Sequence, residues 1–481
     1  MFKQALSKYI KSTFKYFLIL VLTLIAIIVI SIPLARYIKP NDLLSVNNQT
    51  FLTIDNVNLI TMVDTGYLPN QQLIIRDGII WQINPANTPV DKNSKIIDAK
   101  GSFVIPGLFD MHVHLFEQKH LMLSLAFGVT SVRAMGGTPE SLRWKKSLQN
   151  EEWLGSNLYL SSPILDGEHA FVLNQAVLSV EQGREQVRKA KTAGYDLIKT
   201  YGYLKSDVLE AIVNEAENIG IPVAKHAPHP VKGSNWKVLE NLQSLEHVED
   251  IFQGPLNYRF DYEQLQIASK KLKELNVPVV PTLATFDHLT QLSHRKQAFI
   301  DTLSLDYMNP LYRKLQKRLT VDRWLADDKQ QSQFHLKKRK FLFDIVRSLH
   351  ENENEVELLV GSDAGTMFSL PGIATHDEMR LLSQAGVSNF EVLKAATINA
   401  AKTLKVQSKY GTIEIGKTAD LVLLIQNPIE NISLLKSPYA VIKNGQWLSR
   451  ETLEQVKASA KNTSGYYWST IRLLETFVSR W

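Results

Sequence analysis

The stretch Pro106-Gly107-Leu108-Phe109-Asp110-Met111-His112-Val113-His114 decides how this chain folds. An apolar run ending in His-x-His reads as a strand that delivers two imidazoles to one place, because alternate strand residues share a face and stand roughly 7 Å apart at Cα. A lone pair of histidines is more often structural, so the weight falls on what accompanies it. Short apolar runs recur along the chain at Leu108 to Leu115, Val129 to Ala134, Leu158 to Ser161, Leu197 to Tyr201, Ile221 to Lys225, Leu245 to Val248, Val277 to Leu283 and Leu358 to Ser362. Eight runs separated mostly by helix-length connections predict an α/β fold, a (β/α)8 TIM-like barrel, whose functional groups gather at the C-terminal ends of the strands. Those ends carry His112 and His114, then Lys199, His226, His247 and, in Gly361-Ser362-Asp363-Ala364-Gly365, Asp363. All six side chains are thereby directed to one barrel mouth.

Both flanks of the barrel region 106–407 are strand-rich. Phe51 to Ile60, Gln72 to Ile75 and Ile79 to Ile83 lie before it, Ala419 to Ile425 and Ala440 to Ile442 after it, with turns at Asp77-Gly78 and Asn444-Gly445. A small β-sandwich domain built from both chain ends, 50–105 and 408–450, is the expectation. The connection 284–357 is longer than the others, reads as helical, and from His294 to Lys340 holds 12 Lys or Arg against 5 Asp. Following the seventh strand, it rises from the mouth as a solvated insertion or as a basic lid, with the former favoured. In the tail 451–481, Tyr467, Ile471, Leu474 and Val478 recur at helical spacing, and packing on the sheet domain is favoured over lying in a membrane interface.

The chain has 481 residues, 44% hydrophobic and 21% charged, which is the balance of a globular protein, and a net charge of +6 too modest to imply a nucleic-acid partner. With no cysteine, disulfides, thiolate nucleophiles and thiolate-bound zinc are excluded, leaving histidine and carboxylate as metal ligands. The first 16 residues carry Lys3, Lys8, Lys11 and Lys15 and no acid, and an 18-residue apolar run follows from Phe17 to Leu34. That run is long enough to cross a bilayer, and no small-residue cleavage pattern follows it. Residues 1–40 are therefore read as a basic cytoplasmic segment, an uncleaved single-pass anchor at 17–34 and a linker, with the catalytic part on the periplasmic or extracellular side.

The ligand set resembles that of the amidohydrolase superfamily, in the branch that groups imidazolonepropionase-like proteins with Xaa-Pro dipeptidases. The resemblance runs from about Phe51 to Ser449 and takes in Gly136-Gly137, the segment Ala395-Ala396-Thr397-Ile398-Asn399-Ala400-Ala401, and Gly411 to Leu421. It implies that His112, His114 and Asp363 hold one divalent ion and His226 and His247 a second, with Lys199, carboxylated by CO2, bridging them. Two zinc ions sharing a hydroxide, Asp363 as proton shuttle and a small-molecule amide substrate complete the implied enzyme. The substrate class is a dipeptide ending in proline, a related dipeptide or an N-acyl amino acid. Tyr201 shares a face with Lys199, as an oxyanion donor or a packing residue. His169, in Asp166-Gly167-Glu168-His169-Ala170, stands where the family tends to show Gly-Gly-His-Gly and is a substrate-binding candidate despite the replaced glycines. Thr375-His376-Asp377-Glu378 reads as a helix capping box. A mononuclear cyclic-amide hydrolase or deaminase and an anchored non-catalytic binding protein are the alternatives, and a homo-oligomer is compatible with all three.

Overall fold

The computed structural model describes residues 2–35, 38, 44–46, 51–168, 174–226, 236–351, 356–461 and 466–478. Parallel strands at Leu108–Val113, Val129–Ala134 and Asn157–Leu160 form one sheet, and those at Ile198–Thr200, Val223–His226, Ser244–Glu246 and Val279–Val280 belong to another. Single parallel bridges link Ser161 to Leu197, Val279 to Leu358 and Val113 to Ala364. The architecture is a TIM-like barrel, with strands shorter than the apolar runs. The eighth run makes only isolated bridges, yet its backbone is held: Met111 N donates to Val360 O at 2.8 Å, Asp363 N to His112 O at 2.7 Å and His114 N to Ala364 O at 2.6 Å. First and last runs thus lie side by side at the mouth.

Strands from both chain ends pair in one eight-stranded sheet, in which Leu421–Leu424 runs antiparallel to Phe103–Pro106. Its hairpins turn where the sequence places them. Asp77 and Gly78 have φ of 49° and 80°, Asn444 and Gly445 of 49° and 78°, and positive φ at both central residues is what a two-residue hairpin of this twist requires. The sheet is fixed to the third barrel strand by buried Lys443, whose Nζ donates to Asp420 Oδ2 at 2.6 Å and to Asn157 Oδ1 at 2.8 Å.

The long connection differs from both readings of it. Its outer parts are barrel helices, Leu283–Arg295 and Lys329–His350, the second burying Phe341, Leu342, Ile345, Val346 and Leu349. Only the middle, around residues 296–328, is added material, so neither a wholly solvated insertion nor a free lid describes it. The apolar N-terminal run is one helix, Phe2–Ala35, in which Thr13–Ala35 is long and apolar enough to cross a membrane. The tail helix Tyr466–Val478 does not pack on the sheet as expected. It sits against the end of the N-terminal helix, where Tyr467 Oη and Ser31 Oγ are 2.7 Å apart, and against Pro139–Gln149, where Arg143 donates to Glu475 at 2.7 Å. Among the described side chains of this helix, Ile471 is buried.

Candidate metal centre

Each ligand candidate sits within one residue of the end of its strand or, for Asp363, of the eighth run, and at two of them the backbone is unusual. His247 and Asp363 have φ of 69° and 53°, a left-handed conformation that costs a non-glycine residue about 1–3 kcal/mol and concentrates at functional sites. Tight packing fixes the glycines around Asp363. A Cβ on Gly361 would lie 2.3 Å from Val280 Cγ1 and 2.9 Å from His112 Cβ; one on Gly365 would lie 1.8 Å from His114 O. Asp110 stitches the two runs together from below, accepting from Ser362 Oγ and Thr375 Oγ1, each at 2.6 Å, and burial pushes its carboxyl pKa up.

His112, His114 and Asp363 present one ligand atom each within 4.8 Å of one another. Asp363 Oδ1 is 3.0 Å from His114 Nε2 and 3.4 Å from His112 Nε2. The other two imidazoles adjoin this group: His247 lies 4.7 Å from His112 and 4.3 Å from His226, centroid to centroid. Three rings are held through Nδ1, His112 by Glu246 at 2.7 Å, His226 by Asp250 at 2.8 Å and His247 by Thr282 at 2.8 Å, which leaves Nε2 as the ligating nitrogen. Burial, followed by the positive charges around them, depresses the pKa of all three well below the ordinary histidine value, so each is the neutral imidazole that a metal requires.

Lys199 is fully buried, and among the described residues its Nζ has no hydrogen-bond partner. Desolvation lowers its pKa to about 8, although Glu246 pulls the other way. For Asp363 burial works upward, but the His114 hydrogen bond and the nearby Lys199 outweigh it and hold the carboxyl below its usual value. Tyr201 packs edge-on against His226 at 3.9 Å and 5.7 Å from Lys199 Nζ; burial raises its pKa, so the phenol stays a donor. The orphaned Lys199 Nζ and His112 Nε2, both buried, together with neutral imidazoles and an anionic carboxylate, fit a divalent metal centre.

The sequence model of the amidohydrolase family matches residues 103–448. The chain belongs to the amidohydrolase family. Members are metal-dependent, and this amidohydrolase is a hydrolase acting on carbon–nitrogen bonds. An imidazolonepropionase of Pseudomonas aeruginosa is 25% identical over 385 residues, covering 74% of this chain and 88% of the relative. One from Acinetobacter baumannii is 23% identical over 415 residues, covering 81% and 98%. Among solved structures, bottromycin amidohydrolase superposes with a TM-score of 0.70 at 23% identity, covering 90% of this chain and 93% of that one. A Xaa-Pro dipeptidase with bound methionine gives 0.63 at 19%, covering 83% and 100%.

The amidohydrolase brings His112, His114, Lys199, Tyr201, His226, His247 and Asp363 to one mouth, while His169 lies outside the described residues. Thr375-His376-Asp377-Glu378 is not a capping box. Helix Ile373–Gln384 begins before it, Thr375 bonds Asp110, and Glu378 Oε2 accepts from Ala284 N at 2.6 Å. The residues that sequence reasoning missed are Glu246, Asp250, Thr282, Arg133 and Asp110. Glu246 is the most informative of these. Strict strand alternation points it away from the ligand face of His247, but the strand ends at Glu246 and the left-handed His247 turns the chain, so both face the site. Fully buried Arg133 donates Nη2 to Glu246 Oε1 at 2.7 Å and so keeps that carboxylate ionised behind His112. Glu246→Gln is expected to weaken metal affinity by about 10–100-fold, the usual effect of removing a partner behind a ligating histidine. Competition with a calibrated chelator measures it; unchanged affinity makes Glu246 a partner of Arg133 alone.

Proposed function

We propose that this chain is a binuclear amide-bond hydrolase. In this reading His112, His114 and Asp363 would hold one zinc ion and His226 and His247 the other, and Lys199, as its carbamate, would serve as a ligand to the pair. The observation that carries the reading is the buried, unpartnered Lys199 Nζ among four imidazoles and a carboxylate. Desolvation brings the pKa of this lysine down to about 8, so more of it is free amine at neutral pH than of an ordinary lysine, and CO2 capture is chemically accessible. When bound, the zinc pair supplies a water nucleophile activated at neutral pH and polarises the scissile carbonyl. Asp363 takes the proton released by the attacking water and returns it to the leaving nitrogen. Tyr201 donates its hydroxyl to the carbonyl oxygen as negative charge develops there. Glu246, Asp250 and Thr282 hold the rings in the required orientation. By its place in the sequence pattern, His169 is the candidate for binding the substrate.

The substrates proposed are Xaa-Pro or related dipeptides and N-acyl amino acids. Support comes from the Xaa-Pro dipeptidase and the putative prolidase of Bifidobacterium longum, both alike in fold. A screen of dipeptides, N-acyl amino acids and cyclic amides on the metal-loaded full chain tests this by release of free amino acid. Turnover of cyclic amides alone, with one metal per chain, favours the mononuclear alternative; no turnover at full occupancy leaves a binding protein.

The same reading divides the chain into an anchor segment 1–40, a β-sandwich from 50–105 and 408–450, the barrel 106–407 and a helical tail 451–481. Residues 17–34 remain in the mature protein, with the N-terminus cytoplasmic and the barrel on the far side. Protease added on the non-cytoplasmic side of intact cells is expected to degrade the barrel, and N-terminal sequencing to begin upstream of residue 17. A mature N-terminus near residue 36, or a protected barrel, reverses this assignment.

A further inference from the structure

The middle of the long connection carries a face that the catalytic reading leaves unused. Helix Pro310–Gln316 runs directly into the π-turn Lys317–Val321, and residues 310–321 contain Arg313, Lys314, Lys317 and Arg318 with no acid. All four are exposed, as are Leu311 and Leu319, the latter at 63%. Among the described residues only Lys317 has an acidic partner, Asp322 at 2.5 Å. Leucines set among arginine and lysine on one exposed side are the composition of a segment that lies in a membrane interface: basic heads attract anionic lipid and apolar groups enter the headgroup boundary.

The opposite side of the segment is occupied. Buried Tyr312 and Gln316 both donate to Gly365 O, at 2.6 and 2.7 Å, and Gln316 Oε1 accepts from Phe368 N at 2.6 Å. A short helix between solvent and the loop that follows Asp363 therefore has one face fixed and one face free. Its position relative to the N-terminal helix is fixed too. Asn309, at the start of the segment, donates to Ser469 Oγ at 3.1 Å and Thr470 Oγ1 at 3.4 Å on the tail helix. The tail helix in turn touches the last turns of the apolar helix, through Tyr467 and Ser31 and through Arg472 Nε donating to Ala35 O at 3.4 Å. Two successive sets of contacts, through the tail helix, thus connect the basic segment to the point where the apolar helix ends.

We propose that the outer face of residues 310–321 rests on the anionic phospholipid surface of the leaflet from which the N-terminal helix emerges, holding the mouth of the barrel at the membrane. The proposal rests on the anchor reading above and is independent of the substrate. Charge and placement select the occupant: a surface at that height, negatively charged, complements a segment with basic residues and no acid. Attraction of this kind is screened over about 10 Å at ~0.1 M salt, so high salt loosens it.

Because the chain has no cysteine, Leu319→Cys in the full chain gives a single site for a nitroxide label. Asn241→Cys, exposed before the sixth strand at the opposite end of the barrel, is the control. Full chain is placed in nanodiscs of phosphatidylcholine with and without phosphatidylglycerol, and relaxation by oxygen and by a water-soluble nickel chelate reads depth. In phosphatidylglycerol discs the Leu319 label should favour oxygen over nickel several-fold more than the Asn241 label. The difference should shrink at high salt and in a background of R313E, K314E and R318E, which keeps the Lys317–Asp322 pair. Equal nickel access at the two sites in phosphatidylglycerol discs overturns the proposal while leaving the anchor intact. A chain that does not co-elute with discs overturns the anchor reading and this proposal with it.

Discussion

Asp363→Asn is expected to lower kcat by about 10²–10⁴, the usual worth of general acid–base catalysis, while part of the metal stays bound. The substitution isolates proton transfer for two structural reasons. Asparagine keeps one oxygen where Asp363 Oδ1 faces His112 and His114, and it tolerates the left-handed backbone that position 363 adopts at φ 53° better than most residues. What it loses is the ability to carry a proton to the departing nitrogen. The His114 hydrogen bond and the nearby Lys199, which hold the Asp363 carboxyl below its usual pKa, keep it ionised and able to accept a proton through the neutral range. Its pKa is low in the folded state, so activity that depends on the ionised form is present at neutral pH and is lost as the pH falls through that pKa. Metal content and kcat have to be measured on one sample. A fully metallated variant with near-normal kcat moves the proton transfer elsewhere, and His169 is then the residue to replace.

Lys199→Ala is expected to reduce bound metal from two ions per chain to one or none and to lower kcat/KM by about 10³ or more, because the activated nucleophile depends on the metal pair. Excess bicarbonate should raise metal uptake in metal-stripped wild-type protein and have no effect on the variant. The competing explanation is a buried lysine paired electrostatically with Glu246. It makes a different prediction: Lys199→Met, which fills the space with an apolar chain, would then leave metal content unchanged and be neutral or stabilising. Elemental analysis of both variants, prepared with bicarbonate and excess zinc, separates the two. One metal per wild-type chain under those conditions would defeat the binuclear centre.

The barrel, the sheet made from both ends and the ligand candidates were legible because each leaves a local mark. Strand runs are apolar and short, hairpins carry Asp-Gly or Asn-Gly, and a histidine at the end of a strand run is visible in one dimension. What stayed hidden was held by contacts between residues far apart in sequence. Glu246 supports His112 across 134 positions. Arg133 reaches Glu246 across 113, and Ser362 reaches Asp110 across 252. No periodicity records such pairs. Thr375 and Glu378 show the opposite error, in which a correct local pattern for a cap was overridden because both side chains were needed by buried partners, Asp110 and Ala284 N.

The sequence by itself determined the family, the barrel, the membrane-length helix and which residue types could bind metal, since these follow from residue identity and spacing. Only the tertiary structure decided that Lys199 is buried without a partner among the described residues, that His247 and Asp363 adopt left-handed backbones, and that the tail and the middle of the long connection meet beside the apolar helix. Burial, backbone conformation and desolvation belong to the environment of a residue, and in a folded chain that environment is supplied mostly by segments distant in sequence.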